Sequence, residues 1–186
     1  VETPGELFRR VARHVAGAEK RFRSAVSVTE AEETFYDMMR ELAFLPNSPT
    51  LMNAGTALGQ LSACFVLPVD DSIDGIFGAL RHMAKIHQSG GGTGFSFSHL
   101  RPKGDLVKTT KGEASGPVSF MSIFDAATGV IVQGGRRRGA NMGILSCDHP
   151  DIMEFIEAKI DRGRFANFNL SVAVTDRFMD AVRRNG

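Results

Sequence analysis

Cys64 stands in the apolar run Leu61-Ser62-Ala63-Cys64-Phe65-Val66-Leu67-Pro68. Upstream lies a turn rich in hydroxyls and amides, Asn47-Ser48-Pro49-Thr50-Leu51-Met52-Asn53-Ala54-Gly55, and downstream a glycine cluster, Gly90-Gly91-Gly92-Thr93-Gly94. A thiol acts through its thiolate, as nucleophile or as one half of a redox pair. Hydroxyls offer a polar ligand both donors and acceptors, and glycines let main chain come close to it. Together these are the parts needed to hold a small polar metabolite against a redox-capable sulfur. A free cysteine in an apolar run is more often a buried, inert hydrophobe, so the neighbours carry the functional reading of Cys64.

The glycine cluster is not a phosphate-cradling loop of the usual kind. Such a loop follows a strand and opens a helix, whereas this one follows a predicted helix, precedes a predicted strand and has no lysine after it. A helix stop needs one glycine, and four within five positions suggest close main-chain approach to a ligand. Gly134-Gly135-Arg136-Arg137-Arg138-Gly139 is a strongly positive segment. It reads equally as a solvated charge run or as a phosphate contact, since the guanidinium fork matches phosphate oxygens. Asp70-Asp71-Ser72-Ile73-Asp74 clusters acids where a helix begins, which electrostatics alone explains. His14, His82, His87, His99 and His149 lack metal-ligand spacing. They are read as structural or surface residues, and Cys147 as an inert thiol.

These residues need elements to position them. Thr3-Pro4-Gly5-Glu6 is a helix start with its capping box, and Thr29-Glu30-Ala31-Glu32 repeats it, so residues 1–43 predict a helical hairpin whose Arg9, Arg10, Arg21 and Arg23 are solvated. From Phe44 the pattern changes. Strands are predicted at 61–68, 95–98, 141–146 and 168–174. Helices follow Ser72 (buried face Ile76, Phe77, Leu80, Met83, Ala84), Pro117 (Val118, Met121, Phe124, Ala127) and Thr175, and another spans 148–160. Strands alternating with helices predict an α/β fold with a parallel sheet, whose ligands sit beyond the carboxyl ends of the strands.

Composition excludes several classes. The 186 residues are 42% hydrophobic with a net charge of +1, enough for a core and without a global pull toward nucleic acid or anionic lipid. No apolar run approaches the ~20 residues of a membrane span, and two cysteines do not make a secreted disulfide scaffold. A cytoplasmic protein with reduced thiols is expected. The chain opens directly into a helix and stops at Val182-Arg183-Arg184-Asn185-Gly186 without an end signal, which reads as a fragment of a longer protein.

Taken together, the segments resemble the large catalytic subunit of ribonucleotide reductase, in its adenosylcobalamin-dependent class II form. The resemblance rests on 45–55, Ser62-Ala63-Cys64, Asp70 to Ile73, Gly90 to Ser98, Arg101-Pro102, Gly112 to Met121 and Gly134 to Asn141. It implies a ten-stranded α/β barrel, of which residues 44–186 supply the first half, after a helical segment at 1–43. It implies reduction of the ribose 2′-hydroxyl by thiyl-radical chemistry, with Cys64 as first member of the redox pair. Ser48, Ala63, Cys64 and Gly92 would bind substrate, and Asp71, Ser72, Arg101 and Arg137 an allosteric deoxynucleotide effector. It also implies adenosylcobalamin as cofactor, a thioredoxin-type reductant and a homodimer, with no metal held by these residues. No Asn-Pro-Cys-like radical motif occurs in the sequence, so the isolated chain is expected to be inactive. The alternatives are a class I large subunit, a glycyl-radical enzyme and a non-catalytic nucleotide-binding module.

Overall fold

Thr3 begins the first helix as its sequence requires. Its hydroxyl accepts from the Glu6 N–H while the Glu6 carboxylate accepts from the Thr3 N–H, with Pro4 at the first helical position. The computed structural model describes residues 1–22, 25–107, 111–131, 139–160 and 163–185. These form two units, Val1–Ala63 and Cys64–Gly186.

The first unit is helical: α1 (Pro4–Ala16), a 3-10 turn (Gly17–Arg21), α2 (Val28–Arg40) and the short α3 (Ser48–Asn53). α2 is capped by Ser27, not by Thr29. Both hydroxyls have glutamate three residues on, and the Ser27 start sets α2 to bury Ala31 and Met39. Val11, Ala12, Met39 and Ala54 make the core of this unit. Two arginines expected on a solvated face have specific partners. Arg9 bonds Glu33 at 2.7 Å and stacks 3.8 Å over the Tyr36 ring. Arg10 donates to the Leu51 carbonyl at 3.0 Å and to the Ala54 carbonyl, joining α1 to α3.

The second unit is the predicted α/β layout. Strands β1 (Cys64–Leu67), β2 (Gly92–Ser96), β3 (Asn141–Ser146) and β4 (Phe168–Ala173) form one parallel sheet in chain order. α4 (Ile73–Gln88), α5 (Pro117–Val130) and α6 (Ile152–Glu157) make the crossovers, and α7 (Asp176–Arg183) follows the Thr175 cap. Period-two alternation divides the sheet. Phe95, Leu145 and Phe168 enter a core with Ile76 and Met83 of α4, Met121 and Phe124 of α5, and Phe155 of α6. The Phe124 ring lies 4.8 Å from Phe95 and 5.7 Å from Phe97. The intervening residues lie on the other face, where Cys64, Val66 and Met142 are exposed and Gly92, Gly94 and Ile144 half-buried.

Each difference from expectation has an identifiable cause. The 61–68 run pairs as strand only from Cys64, because the Leu61 and Gln60 carbonyls accept from Thr50 Oγ1 and Asn53 Nδ2. β2 begins at Gly92, three residues before the alternating side chains that signalled it. In α4 the buried stripe runs Ile76, Ala79, Met83, His87, and Phe77 is left 46% exposed. The helix expected at 148–160 narrows to 152–157 because His149 closes a turn onto Ser146 and bonds the Leu100 carbonyl with its ring. The helical hairpin was expected to give way at residue 44, whereas the two units meet at 63/64, since α3 and the segment to Leu61 pack with α1 and α2. No described helix is long and apolar enough to cross a membrane.

Phe124 joins α5 to two phenylalanines of the sheet side, so Phe124→Ala is expected to destabilise the second unit by about 3–5 kcal/mol. Calorimetry should record a lower unfolding midpoint; an unmoved midpoint would mean the aromatic cluster does not hold α5 to the sheet.

Candidate functional site

Cys64 is the first residue of β1 and is paired in register with Gly92, the first residue of β2. Partners in a parallel ladder share a face, and so do residues two apart along a strand. Val66 and Gly94 are the next pair on that side, with Met142 opposite Gly94. The Cys64 thiol is exposed and stands on a sheet face where its β2 neighbours carry no side chain. The glycines are not all there for one reason. Gly90 has φ +88° and ends α4, its N–H bonding the His87 carbonyl at 2.9 Å. At Gly94 an added Cβ would meet nothing closer than 3.7 Å, so packing within the chain does not require glycine there.

Ser48 and Ala63 belong to the first unit. Ser48 is exposed at the start of α3, whose Asn47 cap accepts from the Thr50 N–H at 2.9 Å. The same helix fixes the approach to Ala63 through Thr50 Oγ1 donating to Leu61 (3.0 Å) and Asn53 Nδ2 to Gln60 (2.9 Å). Cys147 follows the carboxyl end of β3, whereas Cys64 begins β1. Through the ladder Cys64 is level with Gly92 and Ala140, so seven residues of rise separate it from Cys147, about 23 Å, far beyond the Cα spacing of a disulfide.

A second constellation forms at the other end of the sheet. Asp71 and Ser72 follow β1, and Arg101 follows β2. Arg101 Nε donates to Asp71 Oδ2 at 2.8 Å and its N–H to Oδ1 at 3.3 Å. Ser72 Oγ accepts from the Gly75 N–H at 3.0 Å, capping α4. These three residues line a cleft of about 500 Å³ whose walls include Val107, Glu113 and Phe120, none of which the sequence reading placed with Asp71, Ser72 and Arg101. The loop carrying Arg101 is held from behind. The Asp151 N–H donates to His149 Nδ1 at 3.0 Å, so the Nε2 proton goes to the Leu100 carbonyl at 2.8 Å, and Asp151 Oδ2 accepts from the Lys103 N–H at 2.8 Å. This cleft lies beyond the carboxyl ends of β1 and β2, whereas Cys64 lies at an amino end. Arg137 lies outside the described residues.

Under β2 and β3 runs a buried polar chain that sequence reading passed over as a structural histidine. His87, Thr93, Asn141 and Thr128 are all at most 4% exposed. Burial holds the His87 imidazole below its ordinary value of 6.5, partly opposed through Asn141. Among the described residues no group of three or more His, Cys, Asp or Glu is arranged to hold a metal ion.

A helical unit thus leads into a parallel α/β sheet that carries an exposed thiol at the amino end of its first strand, the layout of an α/β domain. Residues 1–59 match the all-alpha domain of ribonucleotide reductase and residues 62–186 its barrel domain. A vitamin B12-dependent ribonucleoside-diphosphate reductase from Thermoplasma acidophilum is 68% identical over 149 residues, 80% of this chain and 19% of that protein. One of the same description from Mycobacterium tuberculosis is 54% identical over 186 residues, 100% of this chain and 27% of that protein. The class Id ribonucleotide reductase alpha subunit of Actinobacillus ureae superposes with a TM-score of 0.80 at 24% identity, covering 100% of this chain and 32% of that one. The chain belongs to the ribonucleotide reductase family and corresponds to part of its large subunit.

Because the folded-state pKa of His87 lies below its unfolded value, the unfolded chain binds more protons over the interval between them. The stabilising contribution is therefore present above 6.5 and is lost as pH falls from there toward the folded value. Thermal midpoints measured from pH 8 to 5 should show this loss, at a slope no steeper than about 1.4 kcal/mol per pH unit. His87→Gln should flatten it, and an equally pH-dependent variant would assign the effect elsewhere.

Proposed function

We propose that the complete protein reduces ribonucleotides to 2′-deoxyribonucleotides, with Cys64 as one of two cysteines that supply the electrons. The observation that carries this reading is the exposed Cys64 thiol in register with Gly92, on a sheet face bare of side chains beside it. A ribose laid on that strip meets a proton donor and reductant on one side and main-chain groups on the other. As the 2′-hydroxyl leaves as water, Cys64 protonates it. The resulting thiolate and a second cysteine thiol are then oxidised to a disulfide, delivering two electrons and a proton to the sugar. The spacing of Cys64 from Cys147 supports a second cysteine outside this chain. Ser48, Ala63 and Gly92 serve as polar and main-chain contacts for the substrate.

In the same reading, the cleft of Asp71, Ser72 and Arg101 takes a deoxynucleotide effector. Its carboxylate suits sugar hydroxyls and its guanidinium suits phosphate. Arg137 would contribute from the loop that links effector to substrate. The relatives named vitamin B12-dependent support adenosylcobalamin, which when bound supplies the radical that starts the reaction. The corrin ring of that cofactor supplies its own nitrogen ligands to cobalt, and no residue of this chain is assigned to hold it. The active form is a homodimer working in the cytoplasm, where a thioredoxin-type dithiol resets the Cys64 disulfide after each turnover.

Cys64→Ser in the complete enzyme tests this. Dithiol-dependent reduction is expected to fall on the order of a thousandfold or more, while nucleotide binding by equilibrium dialysis stays as in the parent. Undiminished reduction would remove Cys64 from the chemistry and leave the sheet face a nucleotide-binding module.

A further inference from the structure

We propose that the buried chain His87–Thr93–Asn141–Thr128 is a positioning device for the proposed reaction, fixing the main chain of Gly92 opposite Cys64. Its polarity can be read from the donors. Asn141 Nδ2 donates to Thr128 Oγ1 at 2.8 Å, and Thr128 passes its own proton to the Phe124 carbonyl at 2.7 Å, with the Met83 sulfur alongside at 3.6 Å. Thr93 Oγ1 donates to Asn141 Oδ1 at 2.7 Å. Its only proton is then spent, so the 3.0 Å contact with His87 is Nε2–H donating to the Thr93 oxygen. One arrangement of protons satisfies every link. The chain spans α4, β2, β3 and α5, and it lies at the amino ends of β2 and β3, the end at which Cys64 starts β1.

Thr93 is the residue after Gly92, and its side chain points to the opposite side of the sheet. Holding it from below sets the height of the Gly92 main chain without placing an atom on the face that Cys64 occupies. The strand needs such a hold, because glycine contributes no side chain to pack and weakens a strand interior. The unspent polar atom of the chain, His87 Nδ1, faces Gly139, where an added Cβ would come within 3.1 Å of it and 2.8 Å of Thr128 Cγ2. Four buried polar side chains among Met83 and Phe124 are costly in place of apolar ones unless every link is made. Their directional satisfaction specifies one geometry where apolar packing would tolerate several.

The inference rests on the reductase reading, and the experiment separates the two. In the complete enzyme, Thr93→Val keeps the volume and deletes the hydroxyl, and Thr93→Ser restores it. The valine variant is expected to raise KM for the ribonucleotide on the order of tenfold or to lower kcat comparably, with effector affinity at the Asp71 cleft unchanged. The serine variant should return both to within about threefold of the parent. Thr128→Val, which cuts the far end of the chain away from the substrate face, should shift the same parameter in the same direction and serves if Thr93→Val does not fold. A valine variant with parental KM and kcat, or one whose effector affinity falls along with them, overturns the positioning role and leaves the reductase reading standing. An absence of reduction by the parent enzyme overturns both.

Discussion

The structure depends on a sheet that, among the described residues, is clad by α4, α5 and α6 on one side only. α4, α5 and α6 bury alternate residues of the strands, and the period of two then leaves every other residue free of the core. Cys64 falls on the free parity, and the pairing that carries it there also lines it up with Gly92. A one-residue slip of β1 would send the thiol into the aromatic core and bring Phe65 out. Phe95, Phe97 and Phe124 resist that slip, because their packed rings leave no room for a different set of residues.

The two ends of this sheet carry different groups. At the amino end are the thiol, the glycine strip and the polar chain beneath it. At the carboxyl end are the Asp71–Arg101 cleft and the His149–Asp151 brace behind its loop. The strands between them are four to six residues long, and both ends are tied to one aromatic core.

Much of this was legible because it is local. The Thr3 cap, Ser72, Pro117 and Thr175 each announce a helix within four residues of chain, and each is found there. The strand at 141–146 and the alternation of strands with helices were equally plain. What escaped were choices settled at a distance. Ser27 and Thr29 offer equivalent caps, and only the packing of α2 selects the first. Phe77 looked buried by its size, yet the helical stripe passes through the smaller Ala79. The start of β2 was read three residues late because glycines carry no alternation to read. The partnership of Asp71 with Arg101 crosses 30 positions, and that of Thr93 with Asn141 crosses 48. Neither has a local signature, and only the resemblance brought the first pair together.

The Asp71–Arg101 contact bears on how the cleft is filled. Both side chains are 34% exposed, and an ion pair with that much water around it is worth roughly 0–1 kcal/mol. Parting the two side chains therefore costs less than about tenfold in an equilibrium constant. The pair behaves as a latch held by a weak spring: it keeps the two side chains together at the mouth of the cleft and parts readily.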